Sequence, residues 1–205
     1  MSKTPLYEIH KNSGAKIVDF AGWQMPVMYE GIRQEHLAVR NKAGIFDVSH
    51  MGEIEITGKD AKKYCQQLTS NNLNKIKDKK AQYTLLCNDQ GGVVDDVIIY
   101  RFSDDKFFFC VNASNTDKVY DWMVSNSDGY EVEIANLSND FGQIAVQGPK
   151  AISILDSAFG IEFDKIKRFS FDIFKFNSED IIAARTGYTG EDGFELFTPE
   201  SQTLS

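Results

Sequence analysis

Two adjacent carboxylates, Asp95 and Asp96, interrupt an apolar, strand-forming run over residues 91–100 (Gly-Gly-Val-Val-Asp-Asp-Val-Ile-Ile-Tyr). Side chains alternate along a strand, so the two acids point to opposite faces. A carboxylate on a buried strand face is costly unless something pairs with it. One of the pair is therefore a candidate for chemistry, stabilising positive charge or accepting a proton in a reaction. Twin acids near turns also serve as exposed strand ends or turn caps, and the residues by themselves leave both roles open.

Positioning these acids falls to a hairpin. Strands over residues 81–87 and 93–102 flank the turn-rich segment Asn88-Asp89-Gln90-Gly91-Gly92, and a further strand runs over 106–112. Asp96 shares a face with Ile98 and Tyr100, while Asp95 shares the other with Val97 and Ile99. A three-residue turn at Ser103, Asp104 and Asp105 pairs Phe102 with Lys106 and sets Asp96 opposite Asn112. Asp96, Tyr100 and Asn112 then gather on one face. A two-residue turn would break that register.

Around the hairpin, residues 4–13 read as a helix with Thr4 as N-cap and Pro5 at its first position. Residues 32–43 read as a second helix, with Ile32, His36, Val39 and Ala43 on one face and Gly44 as its C-terminal cap. Residues 53–57 alternate like a strand, 59–68 are helical, and 115–125 form a further helix. A strand-rich stretch follows, and residues 199–205 resemble the start of a helix. No internal repeat is evident. This order predicts an α+β chain with mostly antiparallel sheets.

Composition narrows the function classes. Of the 205 residues, 42% are hydrophobic and 25% charged, and the net charge is -8, which argues against a nucleic-acid binder. Cys65, Cys87 and Cys110 lack CxxC spacing and read as reduced thiols, not as a disulfide framework or a zinc site. The N-terminus has no apolar signal region, and no apolar stretch reaches the length of a bilayer. A cytoplasmic protein is expected.

Several longer blocks carry a resemblance. They are Thr4-Pro5-Leu6-Tyr7, residues 19–27 (Asp-Phe-Ala-Gly-Trp-Gln-Met-Pro-Val), residues 35–40 (Glu-His-Leu-Ala-Val-Arg), residues 44–53 (Gly-Ile-Phe-Asp-Val-Ser-His-Met-Gly-Glu), residues 91–96, and residues 186–195 (Thr-Gly-Tyr-Thr-Gly-Glu-Asp-Gly-Phe-Glu). In order and along essentially the whole chain, they resemble aminomethyltransferase, the T-protein of the glycine cleavage system. The resemblance implies a multi-domain folate-binding aminomethyltransferase fold. Its first domain takes residues 1–50 and 137–205, and a ferredoxin-like α+β domain over 51–136 is inserted in it. The C-terminal barrel domain of that family is expected to be absent here, leaving the chain alone weakly active or inactive.

The implied reaction moves the methylene of an aminomethyl group, carried on the lipoyl arm of H-protein, to tetrahydrofolate, with release of ammonia. It implies H-protein and tetrahydrofolate as partners and requires no metal, nucleic acid or membrane. Asp96 matches the family's key Asp and is the expected catalytic carboxylate. Glu195 matches the residue that accepts the adjacent N–H donors of a pterin, a geometry a carboxylate also offers to Arg. Tyr188 is expected to flank the pterin, Tyr83 and Met51 to line the cavity, and Asn112 and Tyr100 to accompany Asp96. Each also has a bland role, as a core or solvated side chain. His10, His36 and His50 read as structural, and Trp23 and Met25 as core. The run of Lys75, Lys77, Lys79 and Lys80 reads as a solvated loop before a partner contact. Competing expectations are a folate-dependent demethylase of a small methylated substrate, an inactive folate-binding fragment, and a tRNA-modification-related module, whose Lys-Gly-Cys signature is absent.

Overall fold

The structure, a computed structural model, describes residues 1–204. The chain divides into two compact units, one of Met1–His50 with Asp140–Ser205 (unit 1) and one of Met51–Asn139 (unit 2). Unit 1 opens with β1 (Ser2–Lys3), α1 (Tyr7–Asn12), β2 (Lys16–Phe20), β3 (Trp23–Met28), α2 (Ile32–Asn41) and β4 (Gly44–Asp47). Strands β1, β3 and β2 form a small sheet in which β1 and β3 are parallel. Every other strand pair in the structure is antiparallel.

Two helix ends differ from the sequence expectation. Helix α1 begins at Tyr7, because Thr4 is drawn into the interior and its carbonyl, not its hydroxyl, accepts the Tyr7 N–H at 3.1 Å. Gly44 does not cap α2; it starts β4. A Cβ there would lie 2.6 Å from Val39 Cγ2, so the glycine allows strand and helix to approach closely. Of the four residues expected on the α2 face, only Val39 is buried, and Ile32 and His36 are exposed.

Unit 2 contains β5 (Gly52–Thr57), α3 (Ala61–Leu68), β6 (Lys80–Cys87), β7 (Val93–Arg101), β8 (Lys106–Val111), α4 (Thr116–Ser125) and β9 (Glu133–Asn136). Its sheet runs β6-β7-β8-β5-β9. The four strands β7-β8-β5-β9 have the order of a ferredoxin-like unit, and β6 is an additional edge strand. Ile54, Ile56, Val97, Ile99, Phe107, Phe109 and Val111 project from one face and bury against Tyr64, Cys65 and Leu68 of α3 and Val119 and Met123 of α4. Each such side chain contributes about 1.5–3 kcal/mol by leaving water. Strand parity sends Glu53, Tyr83, Asp96, Ile98, Tyr100, Phe108 and Cys110 to the other face.

Unit 1 is completed by β10 (Phe141–Gln147), α5 (Ala151–Phe159), β11 (Phe171–Phe176), β12 (Glu179–Ala184) and β13 (Gly193–Pro199), in a sheet ordered β11-β12-β13-β10-β4. That order repeats the one in unit 2, element for element, which corrects the expectation of no internal repeat. Gly58 and Gly148, ninety positions apart, share φ +129 and both precede a helix. At the same spacing, Leu73 N–H donates to Gln66 Oε1 at 2.7 Å and Phe163 N–H to Asp156 Oδ1 at 2.8 Å. Lys79 and Phe169 both take positive φ, 61 and 51. Their amides donate to the carbonyls of Arg101 and Arg185, and those two guanidinium groups in turn donate to the carbonyls of Ile76 (3.0 Å) and Ile166 (2.7 Å).

The first strand of each repeat joins the sheet of the other. β4 pairs with β10, and Val48 N–H donates to Gln143 O at 2.9 Å. β9 pairs with β5, and Leu137 N–H donates to Glu53 O at 2.8 Å.

Candidate functional site

The three-residue turn at Ser103–Asp105 forms as expected. Phe102 N–H donates to Lys106 O at 3.0 Å, and the β7–β8 ladder sets Arg101 opposite Phe107 and Ile98 opposite Cys110. Two residues further on, this register brings Asn112 against Asp96. Strand parity then separates the twin acids. Asp95 turns to the helix-covered face and is buried, where its carboxylate accepts Asn112 N–H (3.0 Å), Asn112 Nδ2 (3.0 Å) and Asn115 Nδ2 (2.6 Å). These bonds pin the turn that leads into α4, and they offset the cost of burying the charge.

Asp96 faces the other way and is half-buried. Its Oδ1 accepts Asn112 Nδ2 at 3.0 Å, and its Oδ2 accepts the Tyr83 hydroxyl at 3.2 Å. Asn112 Nδ2 also reaches Asp96 O at 3.0 Å, so one amide braces both acids. Tyr83 is exposed; desolvation, then the Asp96 charge, pushes its phenol up. The cluster presents a held carboxylate and a phenol at the surface of unit 2. Met51 lies half-buried in the bend just before β5, whose Gly52 pairs with Val111 beside Asn112. Tyr100 is on the same face but four residues along, about 13 Å at strand rise. It is fully buried with its ring 6.0 Å from that of Phe108, so the structure does not gather it with Asp96 and Asn112.

Sequence reasoning passed over one residue of this face. Glu53 is 1% exposed, and neither carboxylate oxygen has a hydrogen-bond partner among the described residues. Burial pushes its carboxyl well up. The signal available was the Glu-Ile-Glu-Ile alternation, which sets Glu53 and Glu55 on the strand face opposite Ile54 and Ile56.

Glu195 and Tyr188 lie in unit 1. Glu195 sits on β13, buried, where Thr186 Oγ1 donates to its Oε2 and Gln143 Nε2 reaches its Oε1 at 3.4 Å. Burial pushes its carboxyl up, and the Thr186 bond pulls it partly back. Tyr188 rides the loop between β12 and β13, 76% exposed. With Thr189 it lines a cavity of about 590 Å³ whose other walls come from the segments around α2 and β4; Glu195 is not among its lining residues. Gly187 holds φ +145, where a Cβ would meet Gln147 Oε1 at 2.3 Å, so the loop needs glycine there. Ion pairs of Arg185 with Asp192, and of Arg40 with Glu191 at 2.8 Å, brace it.

The histidines are placed as follows. His10 bridges Asp47 (2.8 Å) and the Tyr29 hydroxyl (2.7 Å). His50 is half-buried edge-on to Phe20, and burial pushes its imidazole down. His36 is exposed. Met25 is buried and Trp23 half-buried. Among the described residues, no group of His, Cys, Asp and Glu is arranged to hold a metal ion, and no helix is long and apolar enough to cross a membrane.

Known proteins share this architecture. The GCVT N-terminal domain matches residues 6–205. An aminomethyltransferase of Thermoanaerobacter pseudethanolicus is 50% identical over 205 residues, covering 100% of this chain and 56% of its own length. One of Desulfitobacterium hafniense is 47% identical, covering 97% of this chain and 54% of its own. The crystal structure of glycine cleavage system aminomethyltransferase T from Bartonella henselae superposes with a TM-score of 0.93 at 32% identity, over 99% of this chain and 55% of that one. The chain thus spans about half the length of the curated relatives it matches.

Proposed function

This chain belongs to the GCVT N-terminal domain family, and on that premise we propose that it serves aminomethyl transfer in the glycine cleavage system, with tetrahydrofolate as acceptor and the lipoyl arm of H-protein as donor. The observation that carries the reading is the Asp96 carboxylate, held by Asn112 and Tyr83 on the face of unit 2 away from its helices. Tetrahydrofolate, when bound, supplies the nitrogen that takes the methylene. Asp96 stabilises the positive charge that develops on the transferring carbon and accepts a proton as the new bond forms. Asn112 and Tyr83 keep that carboxylate in one orientation before the substrate arrives.

Glu195 fits the acceptor's pterin. Each of its oxygens already takes one donor, from Thr186 and Gln143, and each retains acceptor capacity for a ring N–H and a neighbouring amino group. Two such donors would favour the ionised form that burial disfavours. Tyr188, exposed in its loop, offers a ring to flank the ligand.

Calorimetric titration of tetrahydrofolate against the chain tests the reading. Asp96→Asn should retain folate binding while lowering transfer by about 100-fold or more in an H-protein-dependent assay; near-normal turnover removes Asp96 from the mechanism. Glu195→Ala should weaken folate binding by about tenfold, one good hydrogen-bonding interaction; unchanged affinity removes it from the pterin site.

A further inference from the structure

Glu53 and Gln143 hold the same place in the two repeats. Each follows a glycine, Gly52 or Gly142, on the strand that receives the exchanged first strand. Each backbone N–H donates to a serine hydroxyl, that of Ser138 at 2.9 Å for Glu53 and that of Ser49 at 3.0 Å for Gln143. Both are 1% exposed. In unit 1 the Gln143 side chain reaches Glu195, the residue read above as gripping the pterin. In unit 2 the place is taken by an acid whose two oxygens are buried and unpartnered among the described residues. Buried polar atoms of this kind call for a partner supplied from elsewhere.

The ladder shows what lies near it. Cys110 is directly opposite Glu53, Ile98 is opposite Cys110, and Tyr83 is opposite Ile98. Asn112, which holds Asp96, falls on the diagonal from Glu53, about 7–8 Å between backbones. The titratable groups that this sheet puts on the face are Asp96 and Tyr100 of β7, Tyr83 of β6, Cys110 and Lys106 of β8, Glu133 of β9, and Glu55 of β5, which is paired with Lys106 at 2.7 Å.

We propose that Glu53 is a positioning residue of the transfer site, a carboxylic acid whose two oxygens take up hydrogen bonds when tetrahydrofolate occupies the face carrying Asp96, Asn112 and Tyr83. The inference rests on the folate reading of that face. A neutral acid presents an O–H donor and a C=O acceptor side by side, and it adds no second negative charge beside Asp96. Burial keeps Glu53 in that neutral form.

The test uses the chain with 13C-labelled glutamate carboxyls, followed by NMR through a pH titration with and without tetrahydrofolate. One carboxyl signal, lost in Glu53→Gln, should titrate above the ordinary glutamate range and shift when tetrahydrofolate is added. Wild-type affinity should fall as pH rises through that titration. Glu53→Gln, which installs the counterpart's side chain, should lose this pH dependence, and Glu53→Leu should bind about tenfold more weakly throughout. A Glu53 signal that tetrahydrofolate does not move, or a Glu53→Gln affinity that tracks the wild-type pH curve, overturns the proposal. Failure of the folate reading shows differently: the carboxyl titrates as described but tetrahydrofolate binds at no pH, and the inference then falls with it.

Discussion

The two repeats match where the chain must satisfy backbone and packing, and diverge on the faces that carry the proposed site residues. On the helix-covered faces, Ile56, Cys65, Leu73, Val97 and Phe107 of unit 2 correspond to Val146, Leu155, Phe163, Ile181 and Phe194 of unit 1, all buried. On the opposite faces, unit 2 carries Asp96 and Glu53, whereas the unit 1 counterparts are Asp180 and Gln143, and Glu195 stands where unit 2 has Phe108. One scaffold can therefore hold two different sets of polar groups, because the core that stabilises it lies on the other side of the sheet. A second difference is local. Ile54 is fully buried and Ile134 half-buried, while Ile144 is only half-buried and Ile45 is 71% exposed. Val119 and Met123 of α4 join the core beside the first pair.

The sharpest break of the comparison is in the cores. Phe163→Ala should cost about 3–5 kcal/mol and Leu73→Ala about 2–5 kcal/mol by denaturant unfolding, since both side chains are fully buried at matching positions. If one loss proves negligible, the two positions are not equivalent. Next come Gly58→Ala and Gly148→Ala. Both share φ +129, and a Cβ would meet backbone oxygen at 2.3 Å (Glu131) and 2.6 Å (Val39). Each should lose about 3 kcal/mol, and a well-tolerated alanine at either would show that the turns are not held alike.

Asp95 sharpens the contrast. Asp95→Ala strips the Asn112 backbone N–H and the Asn115 amide of their acceptor and should cost about 2–3 kcal/mol. The corresponding residue of unit 1 is Glu179, exposed, and Glu179→Ala should stay within about 0.5 kcal/mol. Equal effects in thermal unfolding would contradict the assignment of Asp95 as the strut under α4.

The last contrast is pH-dependent. Glu53 holds its proton in the folded state to a pH well above its ordinary value of 4.5. Below the unfolded value both states are protonated and Glu53 contributes nothing. Above it the folded state binds more protons, so stability falls as pH rises until the folded group itself ionises. Glu53→Gln should therefore gain stability over wild type progressively as pH rises above about 4.5. Parallel pH–stability curves for the two proteins would show that Glu53 is not held neutral.

The local geometry around Asp96 was legible in the sequence. The length of the Ser103–Asp105 turn set the register, and the register put Asn112 against Asp96. Strand parity sent Asp95 and Asp96 apart. The repeat was not legible, because its two copies share few residues. Gly58 and Gly148, Ala61 and Ala151, and the Lys-Ile-Lys pairs at 75–77 and 165–167 recur, but most matched core positions exchange one apolar side chain for another. Packing asks for volume and burial, not identity. The roles of Gly44 and Thr4 were misread for a related reason: local cap signals yielded to the approach of β4 to α2 and to burial of Thr4.

What the sequence determined by itself is therefore what neighbouring residues decide between them: alternation, turn length, the separation of the twin acids, and the motifs that carry the family likeness. Only the tertiary structure decided which polar groups are covered. Asp95 is satisfied by Asn112 and by Asn115, twenty residues away in another element, and Glu53 is buried although it alternates with Ile54 along its strand. Burial and hydrogen-bond partners depend on what packs against a strand, and that information lies in distant parts of the chain.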